Sequence, residues 1–126
     1  ALGHAIEILS EGKLNHGNAV SIGLTIEGAL ACLLNIWNLE EWKMQTELLK
    51  EFKLPVSIPF QTNHQAIIDK MSLYKKLVNA DSFAFIFPSR IGEVALSSQD
   101  NFLTYINQSK FPGLFEKSLN FIRDNS

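Results

Sequence analysis

The chain has one cysteine, four prolines, three histidines and seven glycines in 126 residues, and almost no net charge. Each scarcity excludes something. Cys32 has no partner for an internal disulfide, and its place in an apolar helical run predicts a buried, inert thiol rather than a nucleophile. A formal charge of -2 supplies no field that would gather nucleic acid or an anionic membrane, so neither is expected as a partner. No uninterrupted apolar span exists. Ala19 to Trp37 comes nearest, but Ser21, Thr25, Glu27 and Asn35 interrupt it, and a central glutamate is costly in a bilayer. That stretch reads as a buried helix. The composition and lone cysteine together predict a cytoplasmic protein. There is also no initial methionine and no basic leader; the chain opens directly into a motif-like segment, which predicts a piece of a longer protein.

What is present is long enough to bury one core without staples, and one domain over residues 1–126 is expected. Ala1 to Leu9 carries Leu2, Ala5, Ile6 and Leu9 at helical spacing, placing His4 and Glu7 at i and i+3 on a neighbouring face where they could share a site. Ser10 to Asn15 breaks the pattern, and Asn15 can cap a second helix beginning near His16. Ala19, Val20, Ile22, Leu24, Ile26, Ala29, Leu30, Leu33 and Leu34 cover most of that helix, which predicts the central element. Gly23 and Gly28 would let neighbouring helices approach it closely.

Asn38 with Glu41 resembles a capping box for a third helix carrying Leu39, Trp42, Leu48, Leu49 and Phe52 and ending before Pro55. Asn63 can cap a fourth helix through Ala66, Ile67, Ile68 and Met71, leading to Tyr74-Lys75-Lys76. Phe83, Phe85 and Phe87 then alternate with Ala84 and Ile86, and Glu93 to Ser97 alternates again, predicting a β-hairpin of these two strands. Ser98 and Asp100 would cap a helix through Phe102, Leu103 and Ile106, and a last helix after Pro112-Gly113 would carry Leu114, Phe115, Leu119 and Ile122. The expected architecture is mainly α: a helical bundle with one small β-hairpin.

The chemistry-bearing residues concentrate in the first fifth of the chain. His4, Glu7 and His16 have the residue types of a zinc or acid–base site, but a catalytic zinc takes three protein ligands and no third is evident. The alternative is a hydrogen-bonded histidine at a helix end. Lys75 and Lys76 could meet an anionic group, or be solvated and complement a helix dipole. His64 reads as a surface residue, Arg90 as an exposed turn residue, and Trp37 and Trp42 as core and boundary packing.

Gly3-His4-Ala5-Ile6-Glu7, followed by His16-Gly17-Asn18-Ala19-Val20-Ser21-Ile22-Gly23, resembles the paired Gly-His-Ala-x-Glu and His-Gly-Glu-Ala-Val-Ala-x-Gly blocks of the 3-dehydroquinate synthase family. Leu54-Pro55, Tyr74-Lys75-Lys76 and Phe83 to Val94 follow in the family's order, the last two in place of Asp-Lys-Lys and of an apolar strand ending in Ile-Gly-Glu-Val. The resemblance implies the helical C-terminal domain of an enzyme whose N-terminal domain holds NAD. That enzyme, a homodimer, converts 3-deoxy-D-arabino-heptulosonate 7-phosphate to 3-dehydroquinate and phosphate with the help of Zn2+ or Co2+. It implies His16 as a metal ligand, His4 as a substrate-side residue near the departing phosphate, and Lys75 or Lys76 on an anionic substrate group. The family's other zinc histidine falls immediately before Ala1 and its carboxylate ligand further upstream, so the isolated chain is expected to be inactive and a poor zinc binder. Asn18 and Tyr74 depart from the family's glutamate and aspartate, and related sugar phosphate cyclases such as 2-deoxy-scyllo-inosose synthase share the framework. A non-catalytic helical assembly module is the remaining alternative.

Overall fold

In the computed structural model, residues 2–60, 62–75, 81–90, 92–96 and 102–125 are described, with the backbone alone at 74 and 75. Five helices occur among them: α1 (Leu2–Leu9), α2 (His16–Leu33), α3 (Leu39–Glu51), α4 (His64–Lys75) and α5 (Phe111–Asp124). Four short strands complete the set: β1 (Ser82–Phe85), β2 (Pro88–Arg90), β3 (Glu93–Val94) and β4 (Thr104–Asn107).

The helix starts are written in the sequence. Asn15, Asn38 and Asn63 stand immediately before α2, α3 and α4, and their side chains accept hydrogen bonds from the backbone N–H of Asn18, Glu41 and Gln65 at 2.7, 2.9 and 2.7 Å. Each bond satisfies a donor that the first helical turn leaves without an internal partner. α5 has no side-chain cap. It begins at Phe111, ahead of the expected start, because a proline in the first turn lacks an N–H that would need no intrahelical acceptor there anyway.

α2 is the central helix, packed against α1, α3 and α5, while α4 packs on α1 and β1. Its core side carries Ala19, Ile22, Ile26, Ala29 and Leu30, all essentially inaccessible to solvent. The expectation that apolar contacts surround α2 is corrected on one flank, where Val20 and Leu24 remain 40% and 43% exposed. On α3 the buried residues are Trp42 and Thr46, whereas Leu39, Leu48 and Phe52 lie exposed. The tryptophans behave as packing residues. Trp42 is fully buried, and its Nε1–H donates to the Thr25 carbonyl at 3.0 Å. A Cβ on Gly28 would lie 2.8 Å from Trp42 Cδ1 and 3.0 Å from Trp37 Cζ3, so the absent side chain is what admits both indoles.

The β region departs from the expected single hairpin. β1 pairs antiparallel with β4, with Phe83 opposite Ile106 and Phe85 opposite Thr104, and β2 pairs separately with β3. The helix expected through Phe102, Leu103 and Ile106 is therefore replaced by β4; its proposed caps, Ser98 and Asp100, lie outside the described residues. Thr104, Tyr105 and Ile106 are β-branched or aromatic and alternate in exposure, and pairing with β1 satisfies their backbone where an isolated helical turn could not. Phe83, Phe85 and Phe87 face the core, and Phe111 stacks between Phe85 and Phe115 with ring centroids 5.7 and 5.6 Å away. Burying one such ring contributes on the order of 1.5–3 kcal/mol. No helix among the described residues is long and apolar enough to cross a membrane.

Candidate functional site

The first two helices run antiparallel, and glycine sets their spacing. A Cβ on Gly23 would sit 3.0 Å from both the Cα and the N of Gly3, and one on Gly3 would sit 3.0 Å from the Ala19 carbonyl oxygen. Backbone meets backbone there, so neither position can take a side chain without moving a helix. Gly3 on Gly23 at one level and Glu7 beside His16 at the next fix the register of the pair.

His16 is the first residue of α2, and its Nδ1 lies 3.0 Å from Oε1 of Glu7 on α1. A carboxylate only accepts, so the proton of this bond is assigned to Nδ1, and in the neutral tautomer that makes it Nε2 is the unprotonated nitrogen. The imidazole is 77% exposed while the Glu7 side chain is 30% exposed. The carboxylate is thus held against the helix pair and the ring stands outward from it. Glu7 pairs with the histidine across the helix junction, whereas helical spacing alone offered His4 as its companion. His4 itself lies exposed on α1.

Lys75 is the last residue of α4; Lys76 and the side chain of Lys75 lie outside the described residues. His64 corrects the expectation of a plain surface residue. Its ring is half-buried, packs edge-on against Phe115 at a centroid distance of 5.5 Å, and its Nδ1 pairs with the Glu116 carboxylate on α5. It helps line a cavity of about 500 Å³ with Ile26, Ile58, Phe60, Thr62 and Arg123. Nothing in the sequence around His64 signals Glu116, which is 52 residues away. Arg90 is exposed as expected and is joined to Glu93, with its Nε donating to Oε2 at 2.9 Å.

Two further titratable groups are perturbed by burial. Burial pushes the Cys32 thiol up to about 11, keeping it protonated and unreactive at neutral pH, although the residue is half-buried rather than fully enclosed. Burial also raises the Glu27 carboxyl above its ordinary value, opposed in part by a hydrogen bond from the Leu2 backbone. Sequence reading treated Glu27 only as an obstacle to membrane insertion.

An imidazole with Nδ1 turned to a carboxylate and Nε2 left unprotonated is the right donor for one coordination position of a zinc or cobalt ion. The fit extends to one ligand: among the described residues no group of three or more His, Cys, Asp or Glu is placed to hold a metal ion.

The family model for the 3-dehydroquinate synthase C-terminal region matches residues 1–77. The 3-dehydroquinate synthase of Nostoc punctiforme is 37% identical over 99 residues, which cover 78% of this chain and 27% of that protein. That of a Synechococcus species is 36% identical with the same coverage. The chain thus spans about a quarter of the length of these curated relatives, 27% in both cases. Among solved structures, a 2-deoxy-scyllo-inosose synthase complexed with carbaglucose-6-phosphate, NAD+ and Co2+ aligns with a TM-score of 0.76 over 92% of this chain and 32% of its own, at 22% identity. At that identity the likeness establishes the fold.

Proposed function

This chain belongs to the 3-dehydroquinate synthase C-terminal family, and we propose that it is the single C-terminal domain, residues 1–126, of a cytoplasmic, homodimeric enzyme that converts 3-deoxy-D-arabino-heptulosonate 7-phosphate to 3-dehydroquinate and phosphate in aromatic amino acid biosynthesis. The observation that carries the proposal is the coverage of the family match: residues 1–77 include His4, His16, Lys75 and Lys76 together. In this reading His16 holds the metal through Nε2, His4 attends the phosphate end of the substrate, and Lys75 or Lys76 binds an anionic substrate group. NAD, held outside this chain, supplies reversible oxidation of a ring hydroxyl, and zinc or cobalt polarises the oxygen involved. The chain's own part is to present His4 from α1 and His16 from the start of α2. By itself it brings one metal ligand and is expected to show no turnover.

The Co2+-containing 2-deoxy-scyllo-inosose synthase favours a second reading, a sugar phosphate cyclase acting on another substrate. Asn18 and Tyr74, where the resemblance expects Glu and Asp, are where such a change would show. The deciding experiment assays the full-length protein with NAD and Zn2+ or Co2+ on the heptulosonate phosphate and on glucose 6-phosphate. We expect phosphate release from the former and loss of at least about 100-fold in kcat with His16→Ala, as befits removal of a metal ligand. Activity on glucose 6-phosphate alone would establish the cyclase reading. Activity on neither, with NAD and metal bound, would leave the assembly module.

A further inference from the structure

We propose that Glu7 is the positioning residue of His16: its carboxylate takes the Nδ1 proton, fixes the ring in the tautomer with Nε2 unprotonated, and holds that nitrogen ready for a divalent cation. The inference rests on the reading of His16 as a metal ligand and adds to it the group that makes His16 competent.

Three observations carry it. The bond is made between two helices and nine residues apart, at 3.0 Å, so it does not follow from the spacing of residues on one helix. The exposure is unequal, 30% for Glu7 against 77% for the imidazole, so the carboxylate is the anchored member and the ring the oriented one. The anchor stands on a closely packed element, because Gly3 and Gly23 bring the backbones of α1 and α2 together with little room for a Cβ at either position. An exposed histidine–carboxylate pair contributes little to stability. Its physical effect is on the ring: free imidazole divides its proton between two nitrogens and rotates, whereas this one is held with a lone pair directed away from Glu7. Removing such a partner characteristically weakens metal binding about 10–100-fold.

The test uses the full-length protein and Co2+ as the probe, with affinity read by competition against a chromophoric chelator. Ring 15N shifts of histidine-labelled, metal-free protein report the tautomer of His16, a readout that a merely structural role would not move. Glu7→Ala is expected to weaken Co2+ binding about 10–100-fold and to turn the His16 signals into those of a tautomer mixture. Glu7→Gln, whose amide oxygen still accepts the proton, should keep the tautomer and lose less affinity; it also serves if the alanine variant folds poorly. His16→Ala should abolish the site. If His16→Ala loses Co2+ while Glu7→Ala keeps both affinity and tautomer, this proposal is overturned and the metal reading stands. If His16→Ala binds Co2+ as tightly as the parent, the metal reading is overturned and the proposal falls with it.

Discussion

Glu27 shows how one partly buried residue couples the central helix to pH. Burial raises its carboxyl above the ordinary value of 4.5, so the folded chain retains this proton at pH values where the unfolded chain has lost it. Stability from this group is therefore fully present below the unfolded value and declines as pH rises through the folded one. Glu27→Gln should remove that dependence. In urea unfolding between pH 4.5 and neutrality, the parent is expected to lose stability relative to the variant as pH rises; parallel curves would show the carboxyl to be ordinary. At the same scale, the candidate site was half legible. His4, Glu7 and His16 could be singled out as residue types, but the partner of Glu7 depends on the direction in which α1 and α2 pass each other. In that passage Gly3 meets Gly23, a residue that the sequence reading named, with Gly28, as a point of close helix approach. Lys75 and Lys76 were singled out by their charge and by the resemblance of Tyr74-Lys75-Lys76 to Asp-Lys-Lys, and their side chains lie outside the described residues.

Among the elements, those with a cap and a period were the readable ones. Asn38 illustrates why: its Oδ1 accepts from the Glu41 N–H at 2.9 Å and its Nδ2 donates to Glu41 Oε1 at 3.3 Å, a reciprocal arrangement recorded in two letters of sequence. Asn38→Ala should cost about 1 kcal/mol in chemical denaturation and Asn38→Asp much less, since aspartate keeps the acceptor. A loss under about 0.3 kcal/mol for alanine would mean that solvent serves the Glu41 N–H equally well. The β elements were less readable for a physical reason. Phe102, Leu103 and Ile106 fit a helical spacing as well as a strand, and what settles the matter is β1, some twenty residues earlier, whose Phe83 lies opposite Ile106. Likewise the alternation in 93–97 identified a strand but not its partner. The apolar residues expected on the third helix divide, Trp42 being buried while Leu48 and, just past the helix end, Phe52 are 53% and 71% exposed, because periodicity shows a face without showing what covers it.

For the whole molecule, the antiparallel pair that bears His4, Glu7 and His16 is contiguous in the chain, spanning 2–33, whereas α5 begins at Phe111 and packs back on α2. Closing the short link between α1 and α2 costs far less chain entropy than bringing α5 home. The order of assembly follows: the pair forms early, and α5 docks late. In stopped-flow measurements Ile6→Val in α1 should slow folding, while Phe115→Leu in α5 should chiefly accelerate unfolding. Equal slowing of folding by both would contradict that order. Formed first, with glycine close against glycine, the pair would already bring carboxylate and imidazole face to face in the folding transition state, before most of the aromatic core has closed around Phe111.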